Sequence, residues 1–378
     1  MSNPLVTINI VVLNGEKYIR HCLDAVKNQT YNNLEINIFD NGSTDGTKDI
    51  ISKFPKLVLF FNKTNLGMWG GQEKALEFSN GKYVVALSVD VLMAPDTIEK
   101  AVELLERDEK IGALQAKIYQ YDIGDLALEP SSGRGPTKWG NRPARQRPEP
   151  QALAGRRDWF TGLGERARTP ISPLIDTVGF QIERSRRITN IGHGEEDRGQ
   201  YDKEMEIFGV EGAAPIFRKE ALLDSRVMGE IVDHDMFWYG DDVDLAWRMR
   251  LFGWKQVYSP EVIMYHDRST TKDISRGWKD YLKRISERKN ISSLKKRLDW
   301  RNKRLARLKN DYWQNVLRDL PWILKREAQE LGYIILFEPS VLLEILKFLK
   351  LAPKMLKKRK EIMKKAKVSP VEIQKWFT

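Results

Sequence analysis

The sequence predicts an α/β protein, a parallel-rich sheet covered by helices on both faces, carrying a helical and basic C-terminal extension. Three observations predict it. Short β-branched runs alternate with helical patterns through the first hundred residues, the strand candidates end in polar and acceptor-rich loops, and the charge is divided unevenly along the chain. Of the 63 Lys and Arg and 52 Asp and Glu residues, 28 and 11 fall after residue 273, so an acidic body precedes a basic tail. Such asymmetry points the tail toward an anionic partner, nucleic acid or a membrane surface.

The strand candidates are Val6 to Leu13, Leu34 to Phe39, Leu57 to Phe61 and Tyr83 to Val89. Helices are expected near Lys17 to Asn28, Thr44 to Phe54, Gly70 to Ser79 and Pro95 to Arg107. In sheets of this kind ligands bind at the carboxyl ends of the strands. Strand one ends in Leu13-Asn14-Gly15-Glu16 and strand two in Asp40-Asn41-Gly42-Ser43-Thr44-Asp45. These are turn and capping residues by type. Turn chemistry does not need a carboxylate as the last strand residue, however, and Asp40 can accept from the imide N–H of a uracil or thymine. Asn65-Leu66-Gly67-Met68-Trp69-Gly70-Gly71 is a glycine-rich approach to a helix start, suited to a ribose or diphosphate. Strand four ends Ser88-Val89-Asp90. On the same edge as nucleotide-like loops, Asp90 offers the oxygen that a hard divalent cation takes.

Farther on, the stretch WYGDDVDLAWRMR (238–250) places Asp241, Asp242 and Asp244 in the first turn of an expected helix. One or two acids there are explained by capping and the helix dipole. A third adds repulsion, and the aromatic rim Phe237, Trp238 and Tyr239 suggests a pocket wall, so the cluster is read as either a cap or a general base. His266 follows an apolar strand, Val262 to Tyr265, and is either a satisfied structural histidine or a metal ligand, with Asp267 orienting the ring or solvated. His193 with Glu195, Glu196 and Asp197 lies in a polar loop without regular ligand spacing and is read as solvated.

Taken in order, Asn14, the Asp40 to Asp45 run, Asn65-Leu66-Gly67 with Gly70-Gly71, Asp90, Gly240 to Leu245 and Tyr265-His266 resemble the inverting family 2 glycosyltransferases of GT-A fold, a Rossmann-like mixed sheet flanked by helices. Within them the bacterial rhamnosyltransferase-like branch is the nearest in pattern, over about residues 4 to 270. The resemblance implies a nucleoside-diphosphate-sugar donor, dTDP- or UDP-linked, seated by Asn14, Glu16, Asp40, Asn41, Ser43, Asn65, Gly67 and Gly70. It implies Mg²⁺ or Mn²⁺ on Asp90 and His266, Asp242 as catalytic base, and Asp241 and Asp244 as supporting acids that keep Asp242 from becoming too acidic. The departure is Ser88, a hydroxyl where the family's Asp-X-Asp motif has its first carboxylate. A nucleotidyltransferase and a non-catalytic glycan-assembly module are the alternative classes.

Domains are expected at 1–273 and 274–378, with a Pro/Gly/Arg-rich insertion at about 122–172 whose Trp139, Trp159 and Phe160 can close over an acceptor. A single cysteine, Cys22, excludes an internal disulfide and fits a reducing cytosol. The N-terminus lacks a signal-peptide pattern, and no apolar run is long enough to span a bilayer. In the tail, Trp300 to Arg318 reads as a charged amphipathic helix, and Val341 to Leu351 places Leu342, Ile345, Leu346 and Leu349 on one face. A polybasic block follows: Lys354, Lys357, Lys358, Arg359, Lys360, Lys364, Lys365 and Lys367. Aromatics are not interleaved with the block, which argues against nucleic acid. It is expected either to pack on the body or in a homodimer, or to dock a peripheral enzyme on the anionic cytoplasmic face of a membrane, where a glycan or polyprenyl-diphosphate acceptor would be carried.

Overall fold

The computed structural model describes residues 3–54, 57–126, 173–268, 288–289 and 291–378, with the backbone alone at 125 and 126. The insertion beyond residue 126, with Trp139, Trp159 and Phe160, lies outside the described residues, as does the first part of the basic tail. Strand β1 (Val6–Val12) is buried at every position because both its faces are covered. It still reads as an alternation over Val6-Thr7-Ile8-Asn9-Ile10, because the buried polar residues Thr7 and Asn9 are satisfied by Glu35 at 2.6 Å and Ser79 at 3.0 Å. It pairs in parallel with β2 (Leu34–Asp40) on one side and β4 (Tyr83–Ser88) on the other, and β3 (Val58–Phe61) extends the sheet beyond β2.

The sheet is mixed from there on. Strand β11 (Ile216–Arg218) runs antiparallel between β4 and β6 (Ile111–Gln120), and the long β12 (Lys255–His266) returns parallel to β6. Short strands complete the sheet: β5 (Val91–Met93) and β10 (Met205–Glu206) pair antiparallel with β12, and β7 (Ile175–Thr177) with β6. A separate ribbon joins β8 (Phe180–Ile182) to β9 (Ile188–Asn190). The expected mixed sheet flanked by helices is what forms, parallel through β1 to β4 and again between β6 and β12. The returning chain between β6 and β12 supplies the antiparallel strands β7, β10 and β11, and β5, ahead of β6, adds a fourth.

Helix α1 (Ile19–Lys27) buries Ile19, Cys22, Leu23 and Val26, and α4 (Thr97–Arg107) buries Ile98, Ala101, Val102 and Leu105. This i, i+3, i+4, i+7 stripe is what packs a helix on a sheet. Helices α2 (Thr47–Ile51), α3 (Gly67–Leu76), α5 (Ile123–Leu126) and α6 (Lys219–Asp224) are shorter, and α7 (Asp241–Leu251) carries the acidic cluster.

The C-terminal region forms α8 (Ser293–Asn310), α9 (Trp313–Arg318), α10 (Leu320–Phe337), a 3₁₀ turn (Pro339–Leu342), α11 (Leu343–Lys365) and α12 (Pro370–Gln374). The single helix expected over Trp300 to Arg318 is divided at Asp311, where the backbone turns extended. These helices are part of the core. Ile362, Ile373 and Phe377 pack with Trp247, Phe208 and Leu251, and the Thr378 amide donates to the Ile182 carbonyl at 3.1 Å.

The polybasic block is accordingly not a uniformly solvated run. Lys358 is buried, with Nζ 2.7 Å from both Glu230 and Asp233. Arg359 donates to the carbonyls of Leu308 and Asp311, Lys354 pairs with Asp235 at 2.6 Å, and Lys365 and Lys367 reach Asp224. Lys357, Lys360 and Lys364 are exposed. Among the described residues no helix is long and apolar enough to cross a membrane.

Candidate active site

The ends of β1, β2, β4 and β12 open into a cleft of about 1670 Å³, closed on the far side by α7, α8 and α10. Asn14, Asn41, Asn65, Gly67, Asp90, Asp241, Asp242 and His266 line it. Glu16, Asp40, Ser43 and Gly70 do not, and three of them tie the rim together. Asp40 accepts the amides of Gly42 and Ser43 at 3.0 and 2.7 Å, the Ser43 hydroxyl accepts the Asn14 amide at 2.9 Å, and Glu16 accepts the Gly46 amide at 3.0 Å. The Asn14 side chain accepts from Thr44, and Asn41 bridges to the Gly67 carbonyl at 2.9 Å. These polar ends build one interlocked rim, and Asp40 Oδ2 remains buried without a hydrogen-bond partner. Gly67 has φ 77°, and a Cβ there would stand 2.4 Å from the Phe237 carbonyl oxygen, so only glycine fits.

At the other side of the sheet, His266 ends β12 opposite Val91. Its Nε2 lies 3.5 Å from Asp90 Oδ2, and its Nδ1 is 2.8 Å from Asp176 Oδ2. Asp176 is fully buried and also pairs with Arg268 at 2.9 Å, and Arg268 reaches Glu211 at 2.5 Å. Burial works to lower the His266 pKa, but the charges of Asp176 and Asp90 and their hydrogen bonds override it and hold it at about 10. The ring is thus oriented by Asp176. Asp267, expected to orient the ring or to be solvated, is buried and takes the Tyr18 hydroxyl at 3.1 Å and the Ile123 amide at 3.2 Å. His193 sits on the same buried acid, with Nδ1 2.7 Å from the Asp176 carbonyl oxygen.

Asp90, with the Ser88 hydroxyl donating to its Oδ1, offers oxygen to a divalent cation, and His266 offers Nε2 once the cation displaces the proton that Asp90 and Asp176 hold on the ring. Among the described residues no group of three His, Cys, Asp or Glu side chains is placed to hold a metal. The donor set therefore fits a cation only as a partial seat finished by phosphate oxygens, which is how Mg²⁺ is commonly held.

The three aspartates of α7 do different work. Gly240, at φ 80°, is the helix cap, and Asp241 Oδ1 accepts the Asp242 amide at 3.1 Å while Asp242 Oδ1 accepts the Val243 amide at 2.8 Å. Asp244 turns away from the cleft, buried between Arg248 at 2.9 Å, Lys309 at 2.8 Å and Asn310 at 2.7 Å. Its expected role as a repelling neighbour of Asp242 is corrected by these contacts, because two cations take its charge. The acid that raises Asp242 is Glu211, from the loop before β11. Burial first, then the Glu211 charge, push the Asp242 carboxyl up to about 6 against the Val243 and Gly212 amides and Lys303. Asp241, more deeply buried and beside Asp242, is raised to about 8 and carries its proton at neutral pH. Gly212 is the close wall: a Cβ there would lie 3.0 Å from Asp242 Oδ2 and 3.2 Å from Trp69 Nε1. Gly212→Ala is expected to cut turnover by at least ~10-fold with folding intact, and steady-state kinetics with a melting curve check it.

The loop before α7 is held under strain. Phe237 and Tyr239 adopt φ 62° and 64°, a conformation that costs of order 1–3 kcal/mol per residue. Asn302 of α8 offsets this by donating to the carbonyls of Met236, Trp238 and Tyr239 at 2.7 to 2.9 Å. The stacked rings of Trp238 and Tyr239, with centroids 4.8 Å apart, then face the cleft. Asp176, Arg268 and Asn302 were not singled out by sequence reasoning, and the Glu211 to Ala214 stretch only for its small residues. For Asp176 the signal was present, a lone acid inside the apolar run Leu174 to Val178.

The polar ends of β1 and β2 and an acid with a raised pKa thus line one cleft, and the first part of the chain is similar to known proteins. Residues 7–159 match the model of the Glycosyl transferase family 2. An uncharacterized glycosyltransferase of Haemophilus influenzae is 37% identical over 34% of this chain and 44% of its own length. The putative glycosyltransferase EpsH of Bacillus subtilis is 33% identical over 26% and 30%, and a chondroitin synthase of Pasteurella multocida 33% over 29% and 12%. The matched region thus spans less than half the length of these curated relatives. Among solved structures, a mannosyltransferase from Pyrobaculum calidifontis in complex with GDP-Man and Mn²⁺ aligns over 97% of this chain and 86% of its own, with a TM-score of 0.48 and 17% identity.

Proposed function

We propose that this protein is an inverting glycosyltransferase that moves a sugar from a dTDP- or UDP-linked donor to a glycan or polyprenyl-diphosphate-linked acceptor, in cell-surface polysaccharide synthesis at the cytoplasmic face of a membrane. The observation that carries the reading is Asp242: a half-buried carboxyl, raised to about 6, lining the same cleft as the polar ends of β1 and β2. A general base works best when its pKa lies near the working pH. The acceptor hydroxyl gives its proton to Asp242 as its oxygen bonds the anomeric carbon. The bond to the diphosphate breaks with its electron pair, from the opposite face. Asp40 Oδ2, buried without a hydrogen-bond partner and with Lys48 Nζ 4.0 Å away, supports recognition of the base imide N–H once the rim opens to a ligand. Asp90 and His266 would hold a Mg²⁺ or Mn²⁺, which when bound neutralises charge on the leaving diphosphate.

The test is incubation of the full chain with a panel of UDP- and dTDP-sugars and Mn²⁺, reading the released nucleotide and the anomeric configuration of the product by NMR. Inverted transfer with nucleoside-diphosphate release is expected. Pyrophosphate release, or retention at the anomeric centre, would overturn the reading. For the cation seat, Asp90→Ala and His266→Ala should each remove most of the gain that Mn²⁺ adds to nucleoside-diphosphate binding in calorimetry, leaving metal-free binding similar. An unchanged metal increment in both variants would remove the assignment.

A further inference from the structure

Helices α10 and α11 are built inside out. Between residues 321 and 360 there are four acids, Glu327, Glu330, Glu338 and Glu344, and all four face the protein. Glu327 takes Arg304 and Arg307, Glu330 takes Arg304, Glu338 takes Arg288 and Lys296, and Glu344 takes Arg297 and Arg301. The outward positions are apolar. Leu324, Leu331 and Ile335 follow one exposed stripe of α10, and Leu336, Leu343 and Leu346 crowd the corner where α10 turns through the 3₁₀ segment into α11. Leu336 and Leu346 are 73% and 72% exposed, values that a water-facing helix ordinarily gives to its charged residues. The exposed charges between residues 321 and 360 are all of one sign, Lys325, Lys347, Lys350 and Lys357 among them, with Lys347 also 3.1 Å from Glu344; the exposed acid of α11, Glu361, lies beyond this segment.

We propose that this face of α10 and α11 seats on an anionic lipid bilayer, with the leucine corner entering the acyl boundary and the lysines meeting the headgroups. An exposed apolar patch of this kind marks an interaction surface. Its charge decides which one. A second copy of the chain would bring lysines against lysines, whereas an anionic bilayer supplies both an apolar interior and the opposite charge. The contact shares Leu346 with the stripe expected over Val341 to Leu351 but extends onto α10, and it draws less on the block beyond Pro353, where Lys354, Lys358, Arg359, Lys365 and Lys367 are paired to the body. The inner side of α10 has a second consequence. Arg326, Tyr333 and Ile334 line the cleft, so the bilayer lies one helix away from the site, roughly 10 Å. That geometry favours an acceptor with a lipid anchor over a freely diffusing glycan.

This deepens the membrane placement proposed above and rests on that reading for the identity of the acceptor. The test is co-sedimentation of the full chain with vesicles of equimolar phosphatidylglycerol and phosphatidylcholine, against phosphatidylcholine alone, with nucleoside-diphosphate binding measured on the same samples. Wild-type protein should pellet with the anionic vesicles only. The triple variant Leu336→Ser, Leu343→Ser, Leu346→Ser should bind them at least ~10-fold less, and Lys347→Gln with Lys350→Gln should make the remaining binding weaker and less salt-sensitive. Nucleotide affinity and melting temperature should be unchanged in both. The surface assignment falls if the leucine variant pellets as well as wild type, if wild type does not pellet, or if sedimentation velocity shows a dimer that the leucine variant loses. Loss of nucleotide binding with vesicle binding retained would instead strike the transferase reading and leave the surface standing.

Discussion

Asp242→Asn is expected to lower sugar transfer by at least ~10²-fold while nucleotide binding stays within a factor of about two. The substitution keeps the shape of the side chain and one acceptor for the Val243 amide, but it cannot take a proton. In the wild type the base must be ionised, so kcat/KM should fall as pH drops below about 6, the value to which burial and the Glu211 charge raise this carboxyl. The groups that face it are Asp241 on its own helix, Glu211 and Gly212 from the loop before β11, and Lys303 of α8. Glu211→Gln removes the largest charge raising the pKa, so its acid limb should move to lower pH. Stability should move the other way. Asp241 and Asp242 both hold protons to higher pH folded than unfolded, so the protein loses stability as pH rises from about 4 toward 8, and Asp242→Asn, which never ionises, escapes part of that loss. A variant keeping more than a tenth of wild-type turnover would take the base role from Asp242.

What could be read before the structure and what could not follow from contact range. The strands β1 and β2 were legible as alternating β-branched runs and β4 as a continuous apolar one, and their polar ends were legible because a turn leaves its own residue types behind. The junction of Asp90 with His266 needed only the expectation that β12 returns to the same edge. Asp176 and Asn302 were invisible as site residues because their meaning lies in partners far along the chain: His266 is 90 residues from Asp176, and Trp238 is 64 from Asn302. The same reason explains the polybasic block. Lysines bound for Asp233 and Asp235 look identical in sequence to lysines bound for solvent, and those partners lie more than a hundred residues upstream. The exposed leucines of α10 were missed because an amphipathic stripe does not say which of its faces is turned to the protein.

The second large effect is expected from Lys309→Met, which should destabilise the protein by about 3–5 kcal/mol in chemical denaturation. Lys309 is buried on α8, with its ammonium 2.6 Å from Asp233 and 2.8 Å from Asp244. Burial alone would raise the Asp233 pKa, yet Lys309 and Lys358 hold it far below the usual carboxylate range, so both cations stabilise the folded state. That contribution is fully present above the ordinary carboxylate pKa and is lost as pH falls from there through the depressed folded-state value. Methionine fills a similar volume but leaves two buried acids sharing the remaining partners, Lys358 on Asp233 and Arg248 with Asn310 on Asp244. Asp244 lies within the first turn of α7 that carries Asp242, so a loosened α7–α8 contact should also lower kcat more than it raises KM. The double variant Lys309→Met, Asp244→Asn should recover part of the stability, because one uncompensated charge has been removed with its partner. Such recovery separates a charge network from simple packing. If the single variant lost less than about 1 kcal/mol, or the double variant were worse than the sum of the two singles, the C-terminal helices would not be holding the acidic turn through these charges.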